Sequence, residues 1–524
     1  MHNQQHSIIT IYYIVTSRGD IIKSLFKSVA TLTIFSIITK FLGFLFRLYL
    51  SRILSTSILG MYTVASSVAL VMETIIVAGM PLVISRTTAA NTKNLHKTYS
   101  SVSVGLIWCT TLAIVLTTLV VFGKSVFEHI FTNSATYIIL LSMTPTLLFS
   151  AIYTPFKGYL WGEERYFAVS VIELIEQIIR IIASIILFTC VKGIDVILPA
   201  GLGLSIAAAL SCLIGVIVYF CVGGKLLSPA GQYKNVITSV MPLTATRVAG
   251  SLLPTIINVI LPLSLVAIGY TSTQSMSVIG VSVGMTLPLL YVPSAVTMSL
   301  GMALIPKMSA LNTNKNSSYA LSNQISTALN FTIYSCILFI PLFIGLGVPI
   351  CLLLYNNAQA GVYLSKYAFL IMTMGVSQIS TSILNALGHE KASFANFTIA
   401  SVIMLILIAV LPAIVGIDAL FVAMCANSSV TYLLNIRKIN KVTSHCGNYI
   451  KKMSLMLIVS LPVALLCKLI HNLLLFVFPN IVCMALSCAI SMITLVVLLM
   501  CFNLIDYQSI NYITQKIKLK RIKN

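Results

Sequence analysis

Long apolar stretches alternate with short polar segments along the whole chain. A membrane-spanning helix needs about 17–25 mostly apolar residues, and by that rule the sequence predicts about fourteen spans. The predicted spans lie near 28–50, 58–80, 100–122, 136–156, 167–189, 195–220, 236–262, 277–305, 321–347, 361–386, 394–415, 418–436, 453–474 and 479–504. The pattern therefore predicts an all-α polytopic membrane protein.

The basic residues support this count of spans. A cytoplasmic N-terminus places 23 Lys and Arg residues in inner segments, five in outer segments and four inside spans. Inner loops of membrane proteins carry such an excess of Lys and Arg, and one span more or fewer would remove it. The five outer cations are Arg52, Lys124, Lys192, Lys366 and Lys468. We therefore expect a multi-pass protein of the plasma membrane with both termini in the cytoplasm.

Composition excludes an ordinary soluble domain. Hydrophobic residues make up 58% of the 524 residues and charged residues only 8%, against about 25% charged residues in soluble domains. The net charge of +21 follows from the inner loops, so nucleic acid is not an expected partner. Residues 8–15 are apolar but too short to span, and no cleavage site follows. We interpret the first twenty residues as a tail, or as sequence upstream of the true start.

The order of spans suggests two halves. Spans one to six and seven to twelve both begin at the cytoplasm, and a loop around residues 223–234 separates them. Parallel repeats of this kind are common in transporters. The predicted domains are a tail at 1–24, an N-lobe at 25–222, a loop at 223–235, a C-lobe at 236–440, two further spans at 441–506 and a basic tail at 507–524.

Three ionisable residues lie inside the first two spans: Lys40, Arg47 and Glu73. A charged side chain at the membrane centre costs roughly 2.5–3.5 kcal/mol on insertion scales. Lys40 and Arg47 are seven residues apart, so they share one helix face, and Ser36 and Gly43 lie on the same stripe. We interpret this stripe as the lining of a wet surface that receives a negative charge.

Span seven carries a second polar stripe around Arg247, with Thr244, Ser251 and Asn258 on the same face. The guanidinium stays protonated, so it needs an acid on another helix or a phosphate on a ligand. Its planar fork suits phosphate. Arg52, five residues after Arg47, either extends the cationic path outward or reaches to lipid headgroups.

The acids inside spans leave alternatives open. Glu73 forms a structural pair with Arg47 or Lys40, or it serves as a proton or sodium site or as a gate. Span five carries Glu173, Glu176 and Arg180. Glu176 and Arg180 have the i, i+4 spacing of a helical ion pair, so we expect these charges to neutralise each other, with contact to a substrate as the alternative.

Span eight is interrupted by glycines and prolines, at Gly280, Gly284, Pro288, Pro293 and Gly301. Proline removes a backbone hydrogen bond and kinks a helix, which membrane helices tolerate where a neighbour or a cavity satisfies the freed carbonyl. Two interpretations stay open: close helix packing, or a gating hinge at Pro288 and Pro293.

No motif indicates an enzyme. Gly123, Lys124 and Ser125 match the end of a P-loop, but position 118 is Thr rather than Gly, and the segment is predicted outside the membrane. The cysteines are scattered without CxxC spacing, and no metal-ligand or catalytic cluster is found. We therefore expect a transporter without a cofactor.

Several segments resemble the stage V sporulation protein B family. They are 43–54 (GFLFRLYLSRIL), 59–62 (LGMY), 78–86 (AGMPLVISR), 268–270 (IGY), 278–280 (VIG), 285–295 (MTLPLLYVPSA), 384–391 (LNALGHEK) and 416–419 (GIDA). The turn after Leu54 departs from the glycine-containing turn that is usual in relatives.

The resemblance places the chain in the multidrug/oligosaccharidyl-lipid/polysaccharide flippase superfamily. It implies two six-helix lobes around a central cavity, with two additional C-terminal helices. It also implies export of an undecaprenyl-pyrophosphate-linked cell-wall precursor, peptidoglycan lipid II, in spore cortex or vegetative wall synthesis. The cavity cations carried over are Arg47, Arg52 and Arg247.

Our first hypothesis is a flippase that binds the pyrophosphate with Arg47, Arg247, Arg52 and Lys40. Glu73, Pro288 and Pro293 would couple or gate the cycle, driven by Na⁺, H⁺ or the membrane potential. The expected partners are a lipid-linked oligosaccharide, membrane lipids and cell-wall enzymes. The alternatives are a flippase for another lipid-linked polysaccharide, a cation-coupled multidrug exporter, and a membrane enzyme or scaffold.

Overall fold

The computed structural model describes residues 34–91, 95–190, 197–229, 231–294, 297, 301, 308–309, 311, 318–443 and 449–504. Across these residues the chain is helical and no β-strand is found, which confirms the all-α prediction. The predicted terminal tails at 1–24 and 507–524 lie outside the described residues.

Two compact units divide the chain, Met1–Val259 and Ile260–Asn524. The first unit contains α1 (Ile34–Ile53), α2 (Thr56–Val77), α3 (Met80–Ala90), α4 (Leu95–Phe122), α5 (Lys124–Ile130), α6 (Ser134–Gly162), α7 (Tyr166–Cys190), α8 (Ile197–Cys221) and most of α9 (Tyr233–Ala267). The division falls inside α9. The predicted lobe boundary at 223–235 stays a prediction.

The second unit begins with the end of α9 and continues through shorter and longer helices. These are α10 (Ser272–Ile279), a π-helix (Gly280–Thr286), α11 (Leu287–Leu290), α12 (Ser318–Tyr355), α13 (Ala358–Lys366), α14 (Leu370–Ala386), α15 (Glu390–Val410), α16 (Pro412–Val415), a 3₁₀ turn (Gly416–Asp418), α17 (Ala419–Thr443), α18 (Tyr449–Leu474) and α19 (Asn480–Cys501).

Most of the long helices can cross a membrane. In the described part of the chain, 12 helical segments are long and apolar enough, or 13 if α13 and α14, bent by 61°, form one broken span. The predicted fifth span, 167–189, coincides with α7, whose 25 residues include Glu173, Glu176 and Arg180. Within the described residues, each of the fourteen predicted spans thus overlaps a helix, and α7 carries three of the charges that lie inside spans.

Some helices are longer than the apolar runs that predicted them. Helix α6 has 29 residues, about 44 Å at 1.5 Å per residue, whereas the hydrocarbon core is about 30 Å thick. The sequence placed Lys157 in the loop after 136–156. That placement was wrong, because α6 continues to Gly162 and carries Lys157 on its last two turns.

Small residues let α6 approach α3 closely. A Cβ atom on Gly158 would lie 2.9 Å from the backbone of Pro81, and one on Gly162 would overlap the side chain of Thr88. Small residues permit close helix contacts in membranes, where packing contributes much of the association energy. The α3–α6 contact therefore fixes the position of α6, which carries several of the polar side chains described below.

Replacing Gly158 with alanine should destabilise the protein by about 1–3 kcal/mol, the usual cost of overpacking, because the Pro81 backbone cannot move aside cheaply. Thermal unfolding of the purified, detergent-solubilised protein measures the effect. Gly250→Ala is the matched control, since nothing lies within 4 Å of the position that the added methyl group would take. That helical site should gain up to about 1 kcal/mol. Equal effects at the two positions would contradict the packing argument.

Many hydroxyl groups bond to a carbonyl of their own helix. The hydroxyl of Thr63 donates to the carbonyl of Leu59 at 2.7 Å, and that of Thr332 donates to the carbonyl of Ala328 at 2.9 Å. Such back-bonds satisfy a polar side chain without a partner on another helix, so these residues sit inside apolar helices without an unmet hydrogen bond.

Candidate functional site

The first unit holds a group of ionisable and polar side chains on α2, α6 and α7, which we call the charged cluster. Its members are Glu73, Ser150, Lys157, Glu173, Glu176 and Arg180. All are partly buried, so each charge is only partly solvated. Charges in such surroundings need partners within the protein or on a ligand.

Glu73 extends from α2 toward α6. Its carboxylate accepts a hydrogen bond from the hydroxyl of Ser150 at 2.9 Å. The charges that act on it come from Glu176, Arg180 and Lys157. The sequence proposed Arg47 or Lys40 as its structural partner, whereas the hydrogen bond described here joins α2 to α6.

Lys157 connects α6 to α7. Its ammonium group lies 2.5 Å from the carboxylate of Glu173, and the two side chains keep 23% and 41% of their surface exposed. The same ammonium lies 4.8 Å from the ring centre of Trp161, one turn further along α6, a favourable cation–π distance. Lys157 is thus held by two partners.

Within α7, the guanidinium of Arg180 lies 2.9 Å from the carboxylate of Glu176. This confirms the predicted i, i+4 pair. Two buried nitrogens beside it, Arg180 Nε and Gln177 Nε2, have no hydrogen-bond partner among the residues that the structure describes. Buried donors are seldom left unsatisfied, so the cluster retains capacity to bind an acceptor.

Helix α1 lies against α7. A Cβ atom on Gly43 would lie 3.6 Å from Gln177 Nε2. Arg47, one turn later, is partly buried and acts electrostatically on the Tyr62 hydroxyl of α2, as Arg180 does. Arg47 therefore lies near the charged cluster.

The other two cations predicted on the first span are exposed. Lys40 lies on the N-terminal half of α1, most of which is exposed, and Arg52 lies at its C-terminal end. Their predicted roles in binding stay predictions.

Arg247 lies on α9 and is exposed. Helix α9 packs on α2 through other residues: the Thr255 hydroxyl donates to the carbonyl of Ser67 at 2.9 Å, and Asn258 is buried. No carboxylate lies within 4 Å of Arg247 in the described ranges. The guanidinium is thus available to an anion that is not part of these helices.

Pro288 is the second residue of α11, which follows the π-helix, and Pro293 is buried just beyond α11. The Thr286 hydroxyl bonds to the carbonyls of Val281 at 3.0 Å and Ala360 at 3.2 Å, which joins the π-helix to α13. Proline has no backbone N–H to donate to the regular helical hydrogen-bond pattern. Short π-helical turns occur frequently at functional sites. A gating role for the two prolines stays a prediction.

Among the residues described, no group of three or more His, Cys, Asp and Glu side chains is placed to hold a metal ion.

A profile of the family described as "Polysaccharide biosynthesis protein" matches residues 25–312. This chain belongs to that family. The match covers more than half of the sequence and includes α1 to α11, hence the charged cluster and Arg247. Stage V sporulation protein B of Bacillus subtilis (strain 168) is 23% identical over 423 residues, which is 77% of this chain and 81% of that protein.

Solved structures show the same fold. "Lipid II flippase MurJ, inward closed conformation" has a TM-score of 0.66 at 14% identity, over 88% of this chain and 97% of that one. An inward-facing multidrug resistance transporter of the MATE family has a TM-score of 0.63 at 12% identity, over 80% and 100%. The family resemblance inferred from the sequence is confirmed by the profile match and the sporulation protein relative, and the helices that are long and apolar enough to cross a membrane make the chain a multi-pass membrane protein.

Sequence reasoning missed Ser150, Lys157 and Gln177. Lys157 was assigned to a loop because the apolar run ends before it. Its sixteen-residue separation from Glu173 gives no periodic signal, since the two lie on different helices. Gln177 follows Glu176 directly, and its burial, with 6% of its surface exposed, results from helix packing that the sequence pattern does not reveal.

Proposed function

We propose that this protein is a flippase that translocates an undecaprenyl-pyrophosphate-linked cell-wall precursor, peptidoglycan lipid II, across the bacterial plasma membrane, with a role in spore cortex synthesis. It would alter no covalent bond, and both termini would lie in the cytoplasm. Cell-wall enzymes that make or use the lipid would be its partners.

The observation that carries this proposal is Arg247, an exposed arginine on a long apolar helix with no carboxylate within 4 Å in the part of the chain that is described. A guanidinium kept inside a span without an acid needs its anion from elsewhere, and a pyrophosphate offers the geometry that its fork binds. The similar fold of a lipid II flippase supports this choice of cargo, and the stage V sporulation protein B relative supports the role in sporulation.

In the proposed cycle, Arg247 and Arg47 bind the pyrophosphate in an inward-open state, with Lys40 and Arg52 along its path. The membrane potential, negative inside, favours outward movement of an anion by about 2.3 kcal/mol per charge per 100 mV. The empty cationic site would be drawn back inward by the same field. Glu73 would add coupling to H⁺ or Na⁺, and Pro288 and Pro293 would let α10 and α11 bend.

The cation-coupled multidrug exporter is the second candidate, and the carboxylates of the charged cluster favour it. Glu173 and Glu176 are, however, each bonded to a cation, Lys157 and Arg180. Among the described carboxylates of the charged cluster, Glu73 is the one with a neutral hydrogen-bond partner, Ser150. A cationic drug would have to displace internal pairs, which makes this the weaker candidate.

Proteoliposomes test the proposal. Labelled lipid II in the outer leaflet should become protected from an impermeant reductant at least about tenfold faster with protein than without, and an inside-negative or inside-positive potential should change the rate in opposite directions. Labelled phosphatidylcholine is the control lipid. Efflux of a cationic dye without movement of lipid II would instead support the drug exporter and overturn the flippase proposal.

A further inference from the structure

The second unit contains a cavity of about 760 Å³ between α12, α13, α18 and the start of α19. This volume is in the range of sites for small ligands. Its polar lining residues are Ser365, Lys366, Lys468, His471, Asn472 and Asn480. We call it the α18 pocket, and nothing in the proposed transport cycle uses it.

One face of α18 supplies much of the polar lining. Lys468, His471 and Asn472 are spaced i, i+3 and i+4, so they lie side by side. His471 is only 3% exposed, and its Nδ1 has no hydrogen-bond partner among the described residues. A buried ring nitrogen that has no protein partner and lies at the wall of a cavity can form a hydrogen bond with a ligand that enters the cavity.

The pocket is positive. No acidic residue lines it. Lys366 bonds to Asp418, which is not among the lining residues, and its ammonium has further protons to donate. Lys468 is exposed and forms no ion pair within the ranges described. The ligand that fits this lining is an anion with several acceptor oxygens.

The predicted membrane topology places two lysines of the pocket on the outer side. Lys366 and Lys468 are two of the five cations that the charge distribution predicts on the outer side. The positive-inside rule does not account for them, yet both line one cavity. The walls also include the exposed apolar side chains of Leu352, Val362 and Leu475, which suit an acyl chain.

We propose that the α18 pocket binds the phosphate headgroup of an anionic phospholipid of the outer leaflet. Lys468 and Lys366 would neutralise the phosphate, His471 would donate from Nδ1, and the acyl chains would lie along the apolar wall. The proposal does not depend on the transported cargo, because the pocket and Arg247 are on different units.

Native mass spectrometry of the full-length protein tests this proposal, with phosphatidylglycerol as the probe. Wild type should hold one tightly bound phosphatidylglycerol, and Lys468→Gln should lower its occupancy at least about tenfold, with a further fall in Lys468→Gln/His471→Gln. Lys451→Gln is the matched control, because it removes a lysine from the other end of α18. Thermal unfolding without added lipid checks that Lys468→Gln, an exposed site, still folds.

Each other outcome counts against the proposal. Equal loss in the Lys451→Gln control would indicate a general charge effect. Displacement of the lipid by millimolar inorganic phosphate, with no preference for phosphatidylglycerol over phosphate, would make the pocket a site for soluble phosphate. A lower unfolding temperature with unchanged lipid occupancy would mean that the cations only stabilise helix C-termini. Lipid flipping is not part of the readout, so failure of the proposed function leaves this test intact.

Discussion

Replacing Arg247 with alanine is expected to reduce lipid II transport in proteoliposomes at least about tenfold while membrane abundance stays the same. A hydrogen bond to a charged group contributes about 1.5–3 kcal/mol, and each 1.4 kcal/mol is a tenfold change. The fold should tolerate the change because Arg247 is exposed and has no acidic neighbour within 4 Å in the described chain.

Two further variants make this measurement specific. Arg247→Lys keeps the charge but loses the planar fork, so it should retain an intermediate rate. Arg437→Ala removes another exposed arginine, on α17, and should transport normally. Normal transport by Arg247→Ala would remove Arg247 from the binding site. Equal loss of growth support by Arg247→Ala and Arg437→Ala in a flippase-depleted strain would do the same, because the effect would not be specific to Arg247.

The second large effect is expected for Lys157→Glu. This change places a fourth carboxylate in the charged cluster beside Glu73, Glu173 and Glu176, with Arg180 as the remaining cation of the cluster. We expect a loss of about 2–4 kcal/mol in unfolding free energy. This is slightly less than the 3–5 kcal/mol for breaking a fully buried pair, because Glu173 keeps 41% of its surface exposed. Thermal unfolding in detergent and membrane abundance measure the loss.

A charge swap separates pairing from other effects. Lys157→Glu combined with Glu173→Lys should recover at least half of the lost stability, since it restores an opposite-charge pair at the same place. Lys124→Glu is the exposed control. Its pair with Glu128 is 3.8 Å long with 66% of the lysine exposed, so its loss should be below about 1 kcal/mol. Equal losses at Lys124 and Lys157, or no rescue by the swap, would show that the cluster does not stabilise the fold.

The sequence predicted the helices well because a bilayer sets the length of an apolar run. Within the described residues each of the fourteen runs overlaps a helix, and the Glu176–Arg180 pair followed from helical spacing alone. The ends of helices were less certain, because a helix can extend past the apolar run into the headgroup region. Lys157 was misplaced for this reason.

Contacts between helices could not be predicted from one sequence. The hydrogen bond from Ser150 to Glu73 joins residues 77 positions apart, and no periodicity connects them. Nothing in the sequence singles out His471, whereas helix packing buries it at the wall of the α18 pocket. The π-helix at Gly280–Thr286 was anticipated only as an interruption, since glycine and proline do not specify the kind of turn.

The self-satisfied hydroxyls have a consequence for motion. When two helices separate, a hydroxyl already bonded to its own backbone, such as that of Thr63 or Thr332, exposes no unmet donor to lipid. An unsatisfied polar group in hydrocarbon costs several kcal/mol, so helices joined by cross-helix bonds would resist sliding. Helices whose threonines and serines bond locally can exchange neighbours at little enthalpic cost, which suits the proposed transport cycle.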